Sequence, residues 1–239
     1  MLFRSETNHV QWKVPIPGRG TSTPVIWGDQ VFVLTAIPTG PEAASEESGA
    51  TAAAPERSDR PDRPRRGGGP WGGRGGPGGG GGGGGGMVDR PTRAQQFTVI
   101  SFDRKTGQQR WIHAPRTQMP HEGHHKDHGF ASASPVTDGK HLIVSFGSFG
   151  LYGYDLKGKL LWEKDLGDMR TRNSFGEGSS PALDGNTVVV LWDHEGDDFI
   201  VALDKRDGRE LWRQQRDEPT GWCTPLIVDH GGRSEEPHV

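Results

Sequence analysis

Short runs of Val, Ile, Leu and Phe recur along most of this chain, separated by Asp, Gly, Asn and Lys. Such runs, bounded by turn residues, read as β-strands, because branched and aromatic side chains suit a pleated surface. The pattern predicts strands at Thr23–Ile26 and Gln30–Leu34, then at Phe97–Ile100. Four more follow at Ser132–Val136, His141–Phe146, Gly150–Asp155 and Leu160–Lys164, and another four at Ser180–Leu183, Thr187–Trp192, Phe199–Asp204 and Glu210–Arg213. An all-β chain is expected.

The strands carry a repeat. Ala202–Trp212 reads Ala-Leu-Asp-Lys-Arg-Asp-Gly-Arg-Glu-Leu-Trp, and related copies stand at Ser101–Trp111 and Gly153–Trp162. Each copy places an Asp (Asp103, Asp155, Asp204), then a Gly (Gly107, Gly158, Gly208), then a Trp (Trp111, Trp162, Trp212). Asp bonds its own local backbone and Gly accepts positive φ, so the Asp–Gly segment is a tight turn. The Trp falls on the outgoing strand, where its ring can bury against a neighbouring unit. A second marker, Ser/Thr-Pro, appears at Thr23-Pro24, Ser134-Pro135, Ser180-Pro181 and Thr224-Pro225. Two markers in phase, at a period of about 50 residues, are the signature of a β-propeller of four-stranded blades.

The period divides the chain. Residues 1–37 hold a partial blade, whose last strand is Val10–Val14, and the start of the first full blade. Residues 38–94 lose all periodicity: Glu and Ala give way to Arg/Asp/Pro alternation and then to a glycine tract over Gly67–Gly86. A segment with so little apolar surface cannot offset its ordering entropy, so a disordered insertion is expected there. The first blade resumes over 95–116; a second blade occupies 117–166, a third 167–217, and 218–239 starts a fourth, opened by a strand over Trp222–Val228. Three full blades do not close a ring. The chain is therefore expected to be a fragment, completed by missing blades of the same protein or by another chain.

Composition narrows the functional classes. A net charge of −3 gives no broad field for nucleic acid or an anionic membrane. No apolar run approaches the roughly 20 residues of a membrane span, and no signal peptide is visible in this chain. Two Arg-Gly-Gly sites, Arg66–Gly68 and Arg74–Gly76, lie in the glycine tract, where a linker is favoured over RNA binding.

The motif Ala-x-Asp-x-x-x-Gly-x-x-x-Trp resembles the tryptophan-docking repeat of bacterial PQQ-like (pyrroloquinoline-quinone) β-propellers. That superfamily holds quinoprotein alcohol dehydrogenases and non-enzymatic outer-membrane assembly lipoproteins. The resemblance implies a periplasmic or secreted protein. Its enzymes carry an adjacent Cys pair, a calcium site and a catalytic Asp. Here Cys223 is the single cysteine, and no Asp or Asn aligns with those positions. The resemblance thus implies a non-catalytic binding or scaffold module with a protein partner and no cofactor; the alternative is a fragment of a PQQ-dependent dehydrogenase, using PQQ with Ca²⁺.

Two loops hold candidate metal ligands. His121, His124, His125 and His128 lie close together with Glu122 and Asp127, a donor set suited to Zn²⁺ or Cu²⁺. Asp193, Glu195 and Asp197 offer oxygen ligands suited to Ca²⁺. Neither follows a fixed ligand spacing, so solvated loops are the favoured reading of both. Arg170–Asn173 and Glu177 offer charge for a small anion or a partner.

Overall fold

The computed structural model describes residues 9–41, 87–230 and 233–235. Its strands are β1 (Val25–Trp27), β2 (Gln30–Thr39), β3 (Val88–Asp89), β4 (Ala94–Asp103), β5 (Gln109–Gln118), β6 (His124–His125), β7 (Val136–Thr137), β8 (His141–Ser145), β9 (Leu151–Asp155), β10 (Leu160–Lys164), β11 (Ala182–Asp184), β12 (Thr187–Trp192), β13 (Phe199–Asp204), β14 (Glu210–Gln215), β15 (Val228–His230) and β16 (Arg233–Glu235). Three four-stranded antiparallel meanders form: β1-β2-β4-β5, β7-β8-β9-β10 and β11-β12-β13-β14. Two short pairs, β3-β6 and β15-β16, complete the described sheets. These are the blades of an incomplete β-propeller.

The middle strands explain their own unbroken apolar runs. Leu142 and Val144 of β8 pack towards the first blade, with Phe32, Leu34, Phe97 and Val99. Ile143, between them in sequence, packs towards the third blade with Trp162, Val188 and Val190. Successive side chains leave a strand on opposite sides, so a blade sandwiched between two others must be apolar at every position.

The Asp–Gly turns and the Trp residues form one lock. Asp103 Oδ1 accepts the N–H groups of Lys105 and Thr106, and Asp204 Oδ1 accepts that of Arg206. The turn glycines adopt φ of +73° (Gly107), +90° (Gly158) and +69° (Gly208). Over each lies the Trp ring of the preceding unit: Trp12 over Gly107, Trp111 over Gly158, Trp162 over Gly208. A Cβ on Gly208 would stand 2.7 Å from Trp162 Cε3. The indole Nε1 then donates to the carbonyl just after the turn Asp, at 2.8 Å for Trp12–Arg104, 3.1 Å for Trp111–Leu156 and 2.8 Å for Trp162–Lys205.

The Ser/Thr-Pro positions lock the blades a second time. The Thr23 N–H donates to Ser134 Oγ at 2.9 Å, and the Ser134 N–H donates to Ser180 Oγ at 2.8 Å. Each hydroxyl thus satisfies a backbone donor of the preceding blade that no ladder would otherwise pair.

Three local expectations are corrected. Val10–Val14 pairs with no strand among the described residues; it is held through side chains, with Gln11 and Trp12 bonded to the Arg104–Lys105 turn and Trp12 and Val14 packed on Val31, Ile100 and Phe102. The neighbouring strand it would need is not among those residues. Trp222–Val228 is not a strand up to Val228, where β15 begins and pairs with β16. The insertion is narrower than 38–94. Pro38 and Thr39 continue β2 opposite Gln95 and Ala94, and Val88–Asp89 pairs with His125 and His124. The part of the expected disorder that falls on residues 42–86 lies outside the described residues.

Candidate functional site

Antiparallel meanders sort their connections by face. The β7–β8 and β9–β10 turns lie at one end of the second blade. The β8–β9 loop and the long connections into and out of that blade lie at the other. On this second face sit residues 119–134, the Phe146–Gly150 loop, residues 166–181 and the β12–β13 loop.

Carboxylates tie these loops together. Glu177 accepts both the Ser148 N–H, at 2.7 Å, and the Ser148 Oγ–H, at 2.5 Å. Ser148 Oγ in turn accepts the Met169 N–H at 2.7 Å. Glu122 accepts the Thr171 N–H at 3.0 Å and its hydroxyl, while the Gly176 N–H donates to Thr171 Oγ1. Asp193 receives Arg216 Nε at 2.8 Å and Nη2 at 3.4 Å. Glu195 takes the Thr220 hydroxyl at 2.9 Å, and the Arg172 N–H donates to Thr220 Oγ1. Trp222 Nε1 donates to the Gly176 carbonyl at 2.7 Å. The face is a cross-linked platform.

Between these loops lies a cavity of about 30 Å³, lined by Glu122, Glu177, Phe130, Phe149, Met169 and Trp192 among others. That is room for a water molecule or two. Glu177 is half-buried and lines this space. Burial raises its pKa to about 7, against the lowering effect of the two Ser148 hydrogen bonds and nearby His121, with Glu122 adding to the rise.

The four histidines go separate ways. His121 Nε2 donates to the Met169 carbonyl at 2.7 Å. The His124 ring stands edge-on to Phe130, and that of His125 edge-on to Phe175. Ser132 Oγ already donates to the Gly129 carbonyl, so His128 Nδ1, 3.1 Å away, is the donor to Ser132. Burial, with His124, His125 and Arg19 nearby, lowers the pKa of His128. In the acidic loop Asp193 faces Arg216, Glu195 faces Thr220 and Asp197 is exposed. Among the described residues no three His, Cys, Asp or Glu groups are arranged to hold a metal ion.

Glu177 is legible in the sequence as a charged loop residue, yet it turns inward rather than offering its charge to an anion. Thr171 falls inside the Arg170–Asn173 stretch singled out by its charge, while Ser148, Thr220 and Arg216 carry no sequence signal; only the fold brings them to their carboxylates.

The three blades define part of a PQQ-like β-propeller, and known proteins resemble it. The family model described as outer membrane protein assembly factor BamB matches residues 95–228. The chain belongs to that family. BamB from Moraxella catarrhalis is 22% identical, over 61% of this chain and 42% of that chain, with a TM-score of 0.39. A europium-containing methanol dehydrogenase is 13% identical over 55% of this chain and 23% of its own, also at 0.39. A quinohemoprotein alcohol dehydrogenase from Comamonas testosteroni is 17% identical over 54% and 21%, at 0.36. The chain spans less than half the length of each. No curated protein matches it. Among the described residues, no helix is long and apolar enough to cross a membrane.

Proposed function

We propose that the chain is part of a non-catalytic propeller that works outside the cytoplasm, in outer-membrane protein assembly, by docking a protein partner on its loop face. The observation that carries this reading is the use of the loop carboxylates. Glu122, Asp193 and Glu195, with Glu177, are hydrogen-bonded to other loops. A dehydrogenase site would instead hold carboxylates towards a cofactor or metal. Fixing loops before binding lowers the ordering cost of association, which suits a docking surface.

PQQ with Ca²⁺ is a poor fit to the residues present. A fused three-ring quinone exceeds the loop-face cavity of about 30 Å³, where pockets for such ligands run to roughly 300–1,000 Å³; in the wider cleft of about 450 Å³ at Arg116, Tyr152 and Lys164, the carboxylate of Asp165 is already paired with Arg116. Calorimetric titration of the chain with PQQ, with and without Ca²⁺, tests the reading. No saturable heat is expected. One-to-one binding at micromolar concentration, about −8 kcal/mol, would overturn it in favour of the dehydrogenase.

A further inference from the structure

The cavity poses a charge problem that the docking reading leaves open. Glu177 lines it, and among the described residues no Lys, Arg or His forms an ion pair with Glu177 or Glu122. The titratable groups that bear on Glu177 are His121 and Glu122. His121 is turned to the Met169 carbonyl. A half-buried carboxylate that has lost much of its water and has no counter-charge favours uptake of a proton or a cation.

Two features select the cation. Each Glu177 oxygen accepts one hydrogen bond from Ser148, and a carboxylate has about four acceptor sites. Acceptor capacity therefore remains. The lining also includes the aromatic and soft side chains of Phe130, Phe149, Trp192 and Met169, beside glycines and the serines Ser132, Ser145 and Ser179. Aromatic rings attract ammonium groups through their electron-rich faces. A bare metal ion wants several oxygen ligands, and among the described residues no three His, Cys, Asp or Glu side chains are grouped to supply them. The volume of about 30 Å³ admits a head group and not a whole organic molecule.

Backbone geometry keeps the carboxylate in place. Gly147, at φ +59°, lies directly beneath it, and a Cβ there would collide with Glu177 Oε2. The glutamate is thus held by Ser148 and seated on Gly147, at the wall of the cavity.

We propose that this cavity binds a primary ammonium head, with Glu177 as its counter-charge and the aromatic wall as its lining. The head belongs either to a small free amine or to a lysine side chain presented by a peptide. Because the proton and the ammonium group compete for Glu177, binding strengthens as pH rises through about 7.

Calorimetry on the whole chain tests this with methylammonium chloride, a lysine-containing tetrapeptide blocked at both ends, and KCl. At pH 8 at least one of the two amines is expected to bind saturably, and about tenfold more weakly at pH 6. Methylammonium alone would mark a free amine as the ligand, and the peptide alone a lysine tip. Glu177→Gln is expected to abolish the binding while near-ultraviolet circular dichroism stays unchanged. Should that variant not fold, the pH ratio and the KCl comparison on the unaltered chain decide. Saturation by neither amine, equal affinity at both pH values, or KCl binding as tightly as the amines would overturn the proposal.

Discussion

The indole of Trp162 lies over the bare Cα of Gly208 while its Nε1 donates to the carbonyl of Lys205, 2.8 Å away in the same turn. One residue of the second blade thus reads two features of the third: a position without a side chain, and a carbonyl set by the Asp204 turn. Trp12 and Trp111 make the same pair of contacts with the units that follow them.

Adding a methyl group at Gly208 should therefore cost twice. Gly208→Ala forces positive φ on an L-residue and drives the Trp162 ring away, for a loss of about 3 kcal/mol. Gly185 has φ +51° but nothing within 4 Å of a built Cβ, so about 1 kcal/mol is expected for Gly185→Ala. Urea unfolding of the two variants checks the difference.

Trp162 and Trp212 occupy equivalent ladder positions, opposite Gly153 and Ala202. Their surroundings differ: Trp162 is 7% exposed and Trp212 39%. Trp162→Phe should cost about 2 kcal/mol through lost area and an orphaned carbonyl. Trp212→Phe should cost less than about 0.5 kcal/mol, as surface substitutions do. Equal losses in thermal unfolding would refute the lock.

How much of this is legible in the sequence depends on where each signal lives. The strands Thr187–Trp192 and Phe199–Asp204 can be read to the residue, since both lie in runs bounded by turn residues. The fold follows from Asp, Gly and Trp at fixed phase. The ends of the insertion are hidden because Pro38, Thr39 and Ala94 form no apolar run of their own; ladder partners hold them. The loop platform is invisible for a different reason. Glu177 and Ser148 meet only because β9 and β10 fold back between them, and no local pattern encodes that.

Acid should weaken the joint between the second and third blades. Burial pushes the Asp138 carboxyl up, but the Lys205 ammonium at 2.7 Å and the N–H groups of His141 and Lys140 hold it well below its usual range. A depressed carboxylate stabilises the fold above its unfolded value and loses that contribution as pH falls below about 4. Lys205→Met should cost about 1 kcal/mol at pH 7 and less in acid. A cost that does not shrink below pH 4 would contradict the assignment.

Glu177 should give the opposite slope. Its folded pKa of about 7 exceeds the unfolded value of 4.5, so the folded state holds the proton more tightly. Its favourable contribution is complete below about 4.5 and is lost as pH rises to about 7. Glu177→Gln should remove that part of the slope from a series of urea unfolding curves between pH 4.5 and 8.

If the loop face is a fixed platform, amide hydrogen exchange followed by NMR will show it. The N–H groups of Ser148, Met169 and Thr171 lie in loops yet donate to side chains of other loops. They should exchange as slowly as strand amides such as those of Val188 and Val201, whose protection reflects opening of the blades themselves. Exchange at the rate of exposed loop amides would show that the carboxylate ties do not hold the face together.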